Sequence, residues 1–127
     1  MKLRMKGNSL RLRVSRSELD RLMAGAGLEE TIRFGPDPEA FLTYALESDA
    51  DVSTATVRYG QQRIAVVLGK HRLQTWNEPS QVGIYTSVPI GSEGLLELIV
   101  EKDFACLHSS AEENHDIFPN PHADVTR

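Results

Sequence analysis

Five cations recur at alternate positions near the start of this chain: Lys2, Arg4 and Lys6, then Arg11 and Arg13 beyond Gly7-Asn8. They alternate with Leu3, Met5, Leu10, Leu12 and Val14, which is the period of a strand. Two strands joined at Gly7-Asn8 would therefore carry the charges on one face and the hydrocarbon on the other. Like charges crowded on a hairpin repel one another, and an anionic partner relieves that cost. Such a face suits a polyanion, nucleic acid above all, with Arg11 and Arg13 forming bidentate contacts and Lys2, Arg4 and Lys6 positioning a phosphate backbone. The same pattern also fits a solvated face balanced by the chain's own acids.

Two other groups of residues could carry chemistry. Cys106, His108, His115, Asp116 and His122 have the donor atoms of a zinc site. Their spacing matches no standard ligand pair and the chain has no second cysteine, so no metal and no cofactor are expected. Glu97, Glu101, Lys102 and Asp103 could line a barrel interior, which would suit a metal-assisted phosphate enzyme. That is the enzymatic alternative, and a protein-binding adaptor is a third. No phosphate-cradling glycine loop, nucleophile elbow or helical pair of histidines occurs, so no catalytic residue is assigned. His71 has no acid or nucleophile near it in sequence, and Trp76 reads as a core anchor.

The elements that must hold these groups follow from the same periodicities. Strands are expected at 1–6 and 9–14. Ser15-Arg16-Ser17-Glu18 then spells a capping box opening a helix over Arg16 to Ala24, which Gly25 or Gly27 can end. Strands at 28–34 and 41–47 complete a β-β-α-β-β unit. The order recurs with strands at 52–59 and 63–68, a helix at 70–76, and strands at 82–88 and 95–100. A gapless shift of 54 positions lays Leu10, Leu12 and Val14 on Ile64, Val66 and Leu68, Leu19 and Leu22 on Leu73 and Trp76, and Phe34 on Val88. The expected fold is mainly β within the α+β class: two repeats, 1–47 and 52–101, in one domain over 1–108. They would form a pseudo-twofold, eight-stranded antiparallel barrel with two short helices. Residues 109–127 read as an acidic, partly ordered tail.

Composition bounds the setting. At 127 residues the chain can bury one core without disulfides, and its lone cysteine suits a reducing cytoplasm. No stretch reads as a signal peptide or membrane helix, so no membrane partner is expected. The net charge of −4 is uneven. Residues 1–24 carry seven bases against two acids, and residues 92–127 eight acids against two bases, so the acidic end could lie against the basic one.

The run Lys6-Gly7-Asn8-Ser9-Leu10-Arg11-Leu12-Arg13-Val14, followed by Ser17-Glu18-Leu19, resembles the N-terminal segment of AbrB/MazE-type swapped-hairpin domains. In that family two such units form one DNA-binding barrel. The resemblance implies a single-chain version of that dimer, a pseudo-dimeric monomer, in which Arg4, Lys6, Asn8, Arg11 and Arg13 approach phosphates and base edges. The chain departs from the pattern at Ser15-Arg16, where a proline is usual, and at Gly60-Gln61-Gln62, where Gly-Asn-Ser is usual. Over its whole length, through Trp76, Val82-Gly83-Ile84, Glu101 to Leu107 and Phe118-Pro119-Asn120-Pro121, the chain also looks like a family of short bacterial proteins of unknown function. That second likeness implies no activity.

Overall fold

The computed structural model describes residues 1–104 and Phe118. The strands are β1 (Lys2–Lys6), β2 (Ser9–Val14), β3 (Leu28–Arg33), β4 (Phe41–Asp49), β5 (Ala55–Gly60), β6 (Arg63–Gly69), β7 (Gly83–Pro89) and β8 (Leu95–Lys102). The helices are α1 (Arg16–Met23) and α2 (Lys70–Asn77), with a short 3-10 turn at Gly91–Glu93. Every expected element is present, because each has a strong local period and a chemical stop.

The strands form two four-stranded sheets, β1-β2-β8-β7 and β3-β4-β6-β5, in place of the single closed antiparallel barrel that was expected. The first sheet joins the first and last hairpins of the chain, and the second joins the two between them. Both central pairs, β2 with β8 and β4 with β6, run parallel. The expectation of an all-antiparallel arrangement fails there because no hairpin turn links those strands, so nothing local dictates their direction.

The registers repeat. Leu10 pairs with Leu98 and, 54 residues on, Ile64 pairs with Tyr44. Leu3 pairs with Leu12 as Val57 pairs with Val66. The outer hairpins are two residues out of step: Leu28 faces Leu46, whereas Ile84 faces Val100, since the loop at 90–94 is shorter than that at 34–40. The match of Phe34 with Val88 therefore fails. Phe34 lies beyond β3 and is 66% exposed, while Val88 packs against the core.

One core lies between the sheets and helices. Leu12, Val14, Leu46, Leu68, Leu98 and Val100 come from the strands, with Leu19 and Leu22 from α1 and Leu73 and Trp76 from α2. The Trp76 indole donates to the Val82 carbonyl at 3.2 Å. Met5, expected inward with Leu3, is exposed, because an edge strand has no neighbour to cover its end. The β1–β2 turn places Gly7 at φ 56°, and the β5–β6 turn puts Gln61 and Gln62 in the left-handed region without glycine.

The two helices start differently. Ser15 and Glu18 form the expected capping box, with the Glu18 amide donating to Ser15 Oγ at 3.3 Å and the Ser15 amide donating to Glu18 Oε1 at 2.9 Å. Gly69 caps α2 with no side chain at all. A Cβ there would stand 2.5 Å from the Ser53 carbonyl oxygen and closer still to that of Val52, because the β4–β5 loop crosses directly over this residue.

Glu18 has a second partner. Its Oε2 receives the Met1 ammonium at 2.5 Å, and Glu30 receives the same group at 2.9 Å. Burial favours the neutral amine, but hydrogen bonds and charge from Glu18 and Glu30 outweigh it, so its pKa is raised above the ordinary 8.0. The folded protein holds this proton more tightly than the unfolded chain. The stabilisation is therefore complete below pH 8.0 and is lost as pH rises through the folded-state value. Lys102, whose pKa is lowered by burial, acts in the opposite sense at alkaline pH. In a chain that starts at Met1, urea midpoints should show an alkaline loss for the free amine that N-terminal acetylation removes.

Candidate functional site

The outward side of the sheet β1-β2-β8-β7 is a grid that register and alternation determine. One row runs Lys2, Arg13, Glu101, Gly83; the next Arg4, Arg11, Ile99, Tyr85; the third Lys6, Ser9, Glu97, Ser87. The opposite side carries Leu12, Val100 and Ile84 into the core. Lys2, Arg4, Lys6, Arg11 and Arg13 therefore share one face, as the hairpin pattern required.

Their partners differ. Glu101 Oε1 lies 3.3 Å from Arg11 Nε and 3.5 Å from Arg13 Nε, so two cations share one carboxylate. Lys2 Nζ is 2.9 Å from Asp103 Oδ2. Among the described residues, no carboxylate pairs with Arg4 or Lys6. Asn8 is used structurally: its Nδ2 donates to the Leu95 carbonyl at 2.7 Å and ties the turn to the start of β8. Arg4, Lys6 and Arg11, with Ser9 and Ile99, line an open depression of about 200 Å³.

Glu101 also links this cationic stripe to an aromatic side chain. The Tyr85 hydroxyl donates to Glu101 Oε2 at 2.9 Å, and partial burial together with that bond raises the phenol pKa above 10.0. Ser87 donates to Glu97 at 2.9 Å. Ser9, Tyr85 and Ile99 also stand on this face, and Glu101 joins Tyr85 to the arginines. Alternation alone puts these residues outward, but only the pairing of β2 with β8 brings them beside the arginines.

Glu97 and Glu101 consequently do not line an interior with Lys102 and Asp103. Alternation along β8 sends residues 101 and 102 to opposite faces. Lys102 is buried, donates to the Glu78 carbonyl at 2.8 Å and lies 5.4 Å from the centre of the Phe118 ring. Phe118 is held in turn by its amide, which donates to the Asp103 carbonyl at 2.8 Å, and by the edge of Phe104. Cys106, His108, His115, Asp116 and His122 lie outside the described residues. His71 is exposed, and among the described residues no group of three or more His, Cys, Asp or Glu could hold a metal ion.

The outward side of the other sheet is built in the opposite way. Arg63 is held by Glu29 at 3.1 Å and Glu47 at 2.7 Å, and Arg58 by Asp49 at 3.2 Å. Ala45, Ala65 and Val67 are buried on that side, with Val52 packed against them.

These features define a small two-sheet β protein with one face rich in under-neutralised cations and one on which Arg58 and Arg63 are paired with carboxylates and Arg33 lies over the Phe41 ring. The chain belongs to a family of unknown function (DUF7009), whose model matches residues 1–122. No curated protein and no solved structure matches it. Membership of a family of unknown function was expected; nothing in these matches adds to the likeness to swapped-hairpin domains. Among the described residues no helix is long and apolar enough to cross a membrane.

Proposed function

We propose that this chain is a non-enzymatic polyanion-binding module that takes nucleic acid on the outward face of the sheet β1-β2-β8-β7. The observation that carries the reading is the difference between the two sheets. Arg4, Lys6 and Arg11 converge on one depression whose single paired carboxylate among the described residues, Glu101, is shared with Arg13, while on the other sheet Arg63 meets two carboxylates and Arg58 one, and Arg33 lies apart over the Phe41 ring. The overall charge of −4 does not oppose this, because at physiological salt charges act over about 8 Å and the local surplus decides.

The architecture supports the same reading. The registers recurring at an offset of 54, and a strand order that reads the same when residues 1–47 and 52–101 are exchanged, favour a fused pair of β-β-α-β-β halves. Each sheet then takes one hairpin from each half, as in the swapped-hairpin domains that the first hairpin resembles. The pair is functionally lopsided, with the cationic face on the first hairpin only.

The test is fluorescence anisotropy of a labelled oligonucleotide across a salt series. If Arg4 and Lys6 each neutralise a phosphate, Arg4→Ala with Lys6→Ala should flatten the log affinity against log salt slope by about 1.4 on a single strand or about 1.8 on a duplex. Glu101→Gln should bind more tightly than the parent, since it frees Arg11 and Arg13 while keeping an acceptor for Tyr85. An unchanged slope together with an unchanged Glu101→Gln affinity removes this face from consideration.

A further inference from the structure

We infer that the nucleic acid accepted on this face is single-stranded, and that Tyr85 and Ile99 form the platform for its bases; this rests on the polyanion reading above. The Tyr85 side chain lies down along β7. Its Cζ is 3.2 Å from where a Gly83 Cβ would stand, and its hydroxyl is anchored on Glu101 at 2.9 Å. A ring laid over a glycine and tethered at its far end turns one side to the sheet and the other to solvent, and Tyr85 is 53% exposed. The hydroxyl bond to Glu101 holds that ring before any ligand arrives, which lowers the ordering cost of a stacking surface.

The neighbours set the direction of a bound strand. Across the row Arg4, Arg11, Ile99, Tyr85, successive strands are about 4.8 Å apart, so the backbone of Tyr85 stands about 14 Å from that of Arg4, and the ring leans from there towards Gly83. Glu97, which accepts from Ser87 and has no cation paired with it among the described residues, flanks Ile99 on β8 and repels phosphate there. A phosphate backbone is therefore confined to the β1–β2 side, and what it can extend over β8 towards β7 is its bases, onto half-buried Ile99 and then Tyr85.

A duplex fits this surface poorly. Its bases are stacked inside and cannot reach Tyr85, and a major groove about 12 Å wide admits a helix or a two-stranded ribbon but not a four-stranded face. A single strand offers both phosphates and free base faces, which is what the cationic and apolar halves of the row recognise.

The experiment compares a labelled 12-nucleotide single strand, as DNA and as RNA, with the matching DNA duplex, using the full chain. The single strands should bind at least about tenfold more tightly than the duplex. Tyr85→Ala should lower single-strand affinity about tenfold without changing the salt slope, whereas Arg4→Ala changes the slope. Tyr85→Trp should retain or improve binding, and far-ultraviolet circular dichroism verifies the fold of each variant. Equal or tighter duplex binding, or a silent Tyr85→Ala, overturns the inference and leaves the polyanion reading standing. Absence of salt-dependent binding to any of the three overturns both.

Discussion

Replacing Trp76 with alanine is expected to cost about 4 kcal/mol of folding stability. The side chain is 1% exposed and packs where α2 meets both sheets, so its removal leaves a cavity that strands cannot collapse into without losing register. It also removes one of the two hydrogen bonds to the Val82 carbonyl, which keeps the Lys102 amide as a donor at 3.1 Å, so this loss adds little to the cavity cost. Small domains hold only about 5–15 kcal/mol in total, so much of the margin disappears. Urea unfolding followed by circular dichroism measures it, since the variant lacks the chain's only tryptophan. Trp76→Phe should recover a large part of the loss, and a Trp76→Ala variant within 1 kcal/mol of the parent would contradict the assignment of Trp76 to the centre of the core.

Gly69→Ala should be nearly as damaging, at about 3 kcal/mol, the upper end for overpacking. The cause is not the backbone conformation, since φ −64° and ψ 140° suit alanine well. It is the pair of carbonyls, from Val52 and Ser53, that occupy the place of the new methyl group. Because the obstacle is backbone, tethered by the Gly69 amide donating to the Thr54 carbonyl at 2.9 Å, it cannot swing aside as a side chain would. Gly7→Ala is the control: its Cβ would meet nothing within 4 Å, and only the positive φ is unfavourable, costing about 1 kcal/mol. Comparable losses at the two positions would show that the loop yields.

These two glycines mark how much was legible beforehand. Gly7 sits in a Gly-Asn turn between alternating strands, and its role is written in adjacent residues. The capping box at Ser15 and Glu18 is equally local, and both features appear as expected. Gly69 looks like an unremarkable helix start, because the loop that forbids a side chain there comes from residues 52–54 and is brought over it by tertiary packing alone. The candidate site divides along the same line. The common face of Lys2, Arg4, Lys6, Arg11 and Arg13 follows from a period of two. The sharing of Glu101 by Arg11 and Arg13, the engagement of Lys2 by Asp103 and the presence of Tyr85 on that face depend on which strand lies beside β2. Nothing near residues 9–14 encodes that choice. Phe34 shows the opposite error, a plausible strand residue left outside because its loop is longer than the corresponding one.

The union of the first and last hairpins in one sheet has a consequence for how the protein is made. Arg13 and its partner Glu101 are 88 residues apart, so the β1–β2 hairpin can form long before the carboxylate that Arg11 and Arg13 share has been synthesised. Until then β2 emerges from the ribosome with an unpaired edge, and the loop that must close is long, which slows folding. A nascent chain therefore carries Arg11 and Arg13 without their shared carboxylate until β8 has been made and has docked beside β2.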